Sequence, residues 1–225
     1  MSLSIGQLSE RYDGWMLDLF GCLQDGKNAY PAALEAVARL QAERKRLVLI
    51  SNSSRRAATT LDKVVELGFP RDAFVGAVTS GELTHQALLT RADPWFARLG
   101  RRCLHFTWAG RGAISLDGLD LEVVRDVAHA DFILAHGTEA RGPEVVGLQA
   151  LLDMLPAAAR RGLPLVCANP DVVTVSGDAL LPMPGTIAVE YRRLGVSAVD
   201  RGRSSSYVYP PLDSMCYVYD ASMQL

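Results

Sequence analysis

The alternation of short apolar runs with amphipathic stretches over residues 14–79 constrains this chain more than any other feature. GWMLDL (14–19) reads as a strand, and Pro31 then opens a helix through AALEAVARLQAERK. Leu34, Val37, Ala38 and Leu40 recur there at helical spacing, with Glu35, Arg39 and Glu43 on the other side. Leu47–Ile50 is a fully apolar run of strand length. A helix from Arg55 to about Leu67 stops at Gly68 and Pro70, and FVGAV (74–78) is a third strand. This β-α-β-α-β order predicts a parallel sheet with right-handed crossovers and three strand ends along one edge.

That edge is where such a sheet places its chemistry. The first strand delivers Asp18 to its C-terminal end before the chain turns at Gly21 into a polar loop. A carboxylate there is either a nucleophile or metal ligand, or the cap of a strand-to-helix turn. The second strand ends in Ser51-Asn52-Ser53-Ser54. Ser51 and Asn52 either face a ligand or cap the helix that follows, and Ser53 and Ser54 read as caps.

From Thr79 the rhythm restarts. TSGELTHQALL reads as a helix and CLHFTW (103–108) as a strand, followed by a glycine-rich turn, AGRG. Strands at about 121–125 and in DFILAHG (131–137) come next. A helix from Pro143 to about Arg161 then leads to the strand PLVCANPD. These make a second α/β unit, read as an insert that returns to the first unit near Asn169.

Composition excludes several classes. The chain has 225 residues, 49% of them apolar and 21% charged, with a net charge of −2. That describes a soluble globular protein with no electrostatic reason to bind nucleic acid or an anionic membrane. No apolar stretch approaches a membrane span, and no basic segment with an apolar run opens the chain. Cys22, Cys103, Cys167 and Cys216 lie far apart without metal-ligand spacing, which fits neither a disulfide framework nor a zinc site and points to a reducing, cytoplasmic setting. Cys22 reads as a small buried residue rather than a reactive thiol. His136, before Gly137, either lines a ligand face or is a hydrogen-bonded imidazole. AGRG at 109–112 is either a phosphate cradle or a tight turn, and Trp15 and Trp108 read as packing residues.

The series DLFGCLQDGK, LVLISNSSR, AVTSGE, ADFILAHG and LVCANPD resembles class IIA of the haloacid dehalogenase superfamily, sugar-phosphate and nucleotide phosphatases with a large α/β cap, over residues 14 to about 195. The resemblance implies a Rossmann-like parallel-sheet core (1–79 and 170–225) with an inserted α/β cap (80–169). It also implies Mg²⁺-dependent hydrolysis of a small phosphorylated metabolite. Asp18 matches the nucleophile that forms an aspartyl-phosphate beside the metal, and Ser51 matches the hydroxyl that holds a phosphoryl oxygen. Asn52 follows as a substrate-orienting amide, and Asn169 and Asp171 match a segment at the cap edge, or else form a turn around Pro170.

The chain departs from that pattern twice. Where the phosphatases carry a second aspartate, two residues past the nucleophile, this chain has Phe20. A phenyl ring transfers no proton, although its backbone carbonyl still serves a metal. A halide, acyl or aryl phosphate leaving group needs no such proton, so dehalogenation is a secondary reading. Further on, the family's glycine-lysine-proline motif is replaced by Gly202-Arg203-Ser204, which leaves Arg203 to supply the charge, a poor geometric stand-in for lysine. The later glycine-aspartate metal motif has no counterpart; Gly177-Asp178 lies too early.

Residues 204–225 hold four of the seven tyrosines and resemble neither the family nor the preceding sequence. Without the family's last strands, residues 15–19 become a sheet edge, to be covered by the YVY segments or by another chain, as in a homodimer, or else left unstable. A frameshift or truncation after about residue 195 explains these departures together, with weak or absent turnover. The alternative is a retired enzyme that binds a phosphorylated ligand.

Overall fold

The computed structural model describes residues 4–112, 114–176, 179–195, 206–208 and 217–219. In chain order the elements are α1 (Ile5–Ser9), β1 (Gly14–Asp18), α2 (Pro31–Ala42), β2 (Arg46–Ser51), α3 (Ala57–Glu66), β3 (Phe74–Thr79), α4 (Ser80–Thr90), α5 (Pro94–Ala97) and β4 (Arg102–Thr107). There follow β5 (Glu122–Val123), β6 (Phe132–Ala135), β7 (Ala140–Arg141), β8 (Glu144–Val145), α6 (Leu148–Leu152), α7 (Leu155–Arg160) and β9 (Leu165–Cys167). The last are β10 (Val173–Ser176), β11 (Ala179–Pro182), α8 (Pro184–Arg193), β12 (Ser206–Val208) and β13 (Tyr217–Tyr219). The architecture is α/β, and the chain forms two compact units.

The first unit holds residues 1–51, 55–79 and 212–225. Its sheet has the order β13-β1-β2-β3, with β1, β2 and β3 parallel. The helix repeat sets the packing: Ala33, Val37 and Leu40 of α2 and Leu61 and Val64 of α3 are buried with Trp15, Leu17, Leu47, Leu49 and Phe74 of the sheet. Leu47 and Leu49 are wholly inaccessible, and burial of such side chains stabilises a fold by about 1.5–3 kcal/mol each. The expected bare edge at β1 is covered. β13 runs antiparallel to it, with Gly14 opposite Tyr219, Trp15 opposite Val218 and Met16 opposite Tyr217, so a YVY segment supplies the missing neighbour.

The second unit holds residues 52–54 and 80–211 around a seven-stranded sheet of order β12-β9-β6-β4-β7-β8, with β5 also paired to β4. Both faces of its central strands are covered, which is why FILA and LVC read as unbroken apolar runs. Leu104, Phe106, Ile133, Ala135 and Leu165 pack against α6, α7 and α8. Cys103, Phe132, Leu134 and Val166 pack with Leu88 of α4 and Phe96 of α5.

Two expectations differ from this arrangement. The single helix from Pro143 to Arg161 is instead β8 followed by the separate α6 and α7. Gly147, at φ 59°, adopts a backbone that L side chains avoid and precedes α6, while Pro156 sits in the first turn of α7. The return to the first unit near Asn169 also differs from the observed division, because residues 170–195 stay with the second unit. Ile187, Ala188 and Tyr191 of α8 are buried in its core, and the Tyr191 hydroxyl donates to the Leu163 carbonyl at 2.7 Å. Among the described residues, no helix is long and apolar enough to cross a membrane.

Candidate functional site

Asp18 and Ser51 come together because β1 and β2 are adjacent, parallel and nearly level at their carboxyl ends. Asp18 pairs with Ile50, one residue before Ser51, and Ser51 pairs with Thr79 at the end of β3. The carboxylate and the hydroxyl therefore share one sheet edge. The Asp18 Oδ1 accepts from the Leu19 N–H at 2.8 Å, which fixes one carboxylate oxygen at the strand end.

Beyond Asp18 the chain folds into a tight polar loop. The Leu23 N–H donates to the Leu19 carbonyl at 2.9 Å and the Gly21 N–H to the Gln24 carbonyl at 2.8 Å. Leu19 and Leu23 are buried beneath the loop, whereas the Phe20 side chain is 43% exposed. The chain thus places a phenyl ring where the sequence resemblance asks for an acid. Cys22, expected to be buried, is only half-buried.

In the second unit the Asn52 Nδ2 donates to the Asp171 Oδ1 at 3.3 Å, and the Asp171 N–H donates to the Asn169 Oδ1 at 2.8 Å. Asn169 closes a turn across Pro170, as Asn side chains do by bonding the backbone two residues on. Burial holds the Asp171 carboxyl above the usual carboxylate range, against the opposing effect of the hydrogen bonds from Asn52 and Asn169. The Asn52 Oδ1 is buried and has no hydrogen-bond partner among the described residues. Arg203 and Gly177-Asp178 lie outside the described residues.

The remaining sequence candidates are structural here. Trp15 and Trp108 are buried, and the Trp108 indole donates to the Ser54 hydroxyl at 3.2 Å. In the AGRG turn the N–H groups of Ala109 and Gly110 are already bonded, donating to the Glu139 carboxylate at 3.0 and 2.8 Å. His136 is buried and bonded to His105, a pair with no periodic signal in the sequence because its members come from different strands.

A magnesium ion is implied by the sequence resemblance. The donors available in the first unit are the Asp18 carboxylate and the Phe20 backbone carbonyl, both hard oxygens of the type Mg²⁺ prefers. Among the described residues no three His, Cys, Asp or Glu side chains converge as a metal-binding set. The pair fits magnesium in the sparse manner usual for that ion, with one carboxylate and the remaining positions left to water and substrate phosphate.

Residues 15–110 match the family model of haloacid dehalogenase-like hydrolases. A haloacid dehalogenase-like hydrolase from Brucella suis aligns with a TM-score of 0.73 at 27% identity, over 92% of this chain and 72% of that one. Over residues 15–110 the chain is thus similar to haloacid dehalogenase-like hydrolases. The chain also shares its fold with a 4-nitrophenylphosphatase from Thermotoga maritima (TM-score 0.57, 24% identity, 84% of this chain and 67% of that one). A glycerol phosphate phosphatase from Mycobacterium tuberculosis, solved with calcium, aligns at a TM-score of 0.56 and 20% identity over 88% of this chain. The chain spans 52% of that enzyme. No curated protein matches it.

Proposed function

We propose that the chain is a phosphatase-type hydrolase whose nucleophile is Asp18. The observation that carries this reading is the placement of Asp18 and Ser51 at the carboxyl ends of adjacent parallel strands, inside the segment that matches the family. An Asp18 carboxylate oxygen attacks phosphorus, the bond to the leaving oxygen breaks, and that oxygen departs with the electron pair. Water then cleaves the aspartyl-phosphate and releases phosphate. The Ser51 hydroxyl donates to a phosphoryl oxygen, which stabilises charge that grows during transfer. Asn52, Asn169 and Arg203 are assigned to substrate binding. Asp18 and the Phe20 carbonyl would hold Mg²⁺, which when bound offsets the repulsion between carboxylate and phosphate.

Phe20 decides which substrates are open to such a site. With no acid two residues past the nucleophile, the leaving group must accept its electron pair unprotonated. Aryl and acyl phosphates meet that demand and alkyl phosphates do not; the substrate is thus a small phosphorylated metabolite with a good leaving group. The same residue favours the second reading, a phospho-ligand binder without turnover. The thiols Cys103 and Cys167 are free, which suits a reducing cytoplasm. A homodimer belongs to the reading as well, since β3 ends the first sheet and its Val75 and Val78 are exposed.

The test compares the parent with Asp18→Asn on an aryl phosphate in the presence of Mg²⁺. The expected result is measurable hydrolysis by the parent and none above background by the variant. Equal rates would remove Asp18 from the mechanism. Phosphate binding without turnover in either protein would support the binding module instead.

A further inference from the structure

Three of the chain's four histidines are buried in the second unit. His105 lies in β4, His136 directly follows β6, and His85 is on the buried face of α4. The His105 Nε2 and His136 Nδ1 are 2.9 Å apart, with the rings edge to face at 89°. His105 and His136 are 4% and 3% exposed.

A neutral imidazole has one donor and one acceptor nitrogen, so this bond needs an unprotonated nitrogen on one ring. A first added proton puts charge into a dry interior, and a second removes the acceptor and sets two N–H groups against each other. The surroundings offer no compensation. From α4 the titratable group is His85, which opposes charge on His136, and from β4 it is Cys103, whose thiol burial keeps neutral. No carboxylate among the described residues acts on either ring. On the adjoining turn, Glu139 accepts from the Ala109 and Gly110 N–H groups and Arg141 pairs with Glu144.

We propose that the His105–His136 pair is a proton-operated release for α4: on protonation the pair can no longer stay sealed, and α4 lifts from its face of the second sheet. α4 rests on this face through Ser80, Gly81, Thr84, His85 and Leu88, with His85 beside the pair, while α8 holds the opposite face. The release would reach the turn after Ser51, since the Gly81 N–H at the start of α4 donates to the Ser53 carbonyl at 2.9 Å.

Amide hydrogen exchange of the whole chain between pH 7.5 and 5, corrected for intrinsic rates, tests this. One imidazole with an ordinary value near 6.5, held to about 4 when buried, changes the opening equilibrium about 30-fold by pH 5. Protection of Ser80–Thr90 should fall by at least that factor while α8 stays protected. Unchanged protection of α4 at pH 5 would overturn the proposal, and so would simultaneous loss in α4 and α8, which would be opening of the whole unit. The variant His105→Gln keeps a hydrogen-bonding side chain without the titration and should flatten the response of α4. If it folds and the response persists undiminished, the pair is not the sensor.

Discussion

Gly185→Ala probes how α8 is seated on the Asn169–Asp171 turn. A Cβ at this position would stand 2.1 Å from the Pro170 carbonyl oxygen and 2.5 Å from that of Asp171, and both are backbone atoms. Carbon and oxygen approach comfortably only to about 3.3 Å, so helix and turn must part by about 1 Å. The Gly185 N–H now donates to the Asp171 carbonyl at 2.9 Å, the Met183 N–H to the Val172 carbonyl at 2.9 Å, and the Thr186 hydroxyl to the same carbonyl at 2.7 Å. Overpacking of about 1–3 kcal/mol and the loss of one such bond, about 1 kcal/mol, together give a destabilisation of about 2–4 kcal/mol. Urea unfolding followed by circular dichroism measures it, with Gly14→Ala as a control because nothing lies within 4 Å of the added carbon. A cost below about 0.5 kcal/mol for Gly185→Ala would refute the close seating of α8.

Acid should weaken the fold as pH falls below about 6.5. Burial takes His105 down to about 4, so its contribution is intact above the unfolded value near 6.5 and is lost as pH falls from there toward 4, about 3 kcal/mol in all. Thermal unfolding from pH 7.5 to 4.5 reads this, and a midpoint flat down to pH 5 would contradict it. Tyr191→Phe leaves the Leu163 carbonyl without its 2.7 Å donor and should cost about 1–2 kcal/mol in urea, whereas a neutral result would mean water replaces the hydroxyl. Phe20→Asp should raise alkyl-phosphate hydrolysis about 10²- to 10⁴-fold if the other groups are in place, and no gain would undercut the leaving-group argument.

The strand ends were legible because each local signal agreed with the others. The apolar runs 14–18 and 46–51 are bounded by polar residues, α2 starts at Pro31, and α3 gives way to Gly68, so the positions of Asp18 and Ser51 followed from spacing alone. The separate starts of α6 and α7 were also written in Gly147 and Pro156, but the apolar residues on either side kept a helical period that masked them. The hairpin of β10 and β11 shows strict alternation in Val173-Thr174-Val175-Ser176, a signal overshadowed by the turn residues around Pro170. α8 escaped because its identity depends on burial against strands distant in sequence. The His105–His136 pair was illegible for the same reason: nothing in the sequence says that β4 and β6 are neighbours until the sheet order is known.

The account stands on Asp18 as the atom that receives the phosphoryl group, and the most direct test is rapid-quench single turnover with an aryl phosphate followed by intact-mass and peptide analysis. It predicts a burst of phenolate and a transient phosphoryl adduct on the peptide containing Asp18, both absent from Asp18→Asn. Phenolate release without any adduct, or with the adduct on another residue, would contradict it.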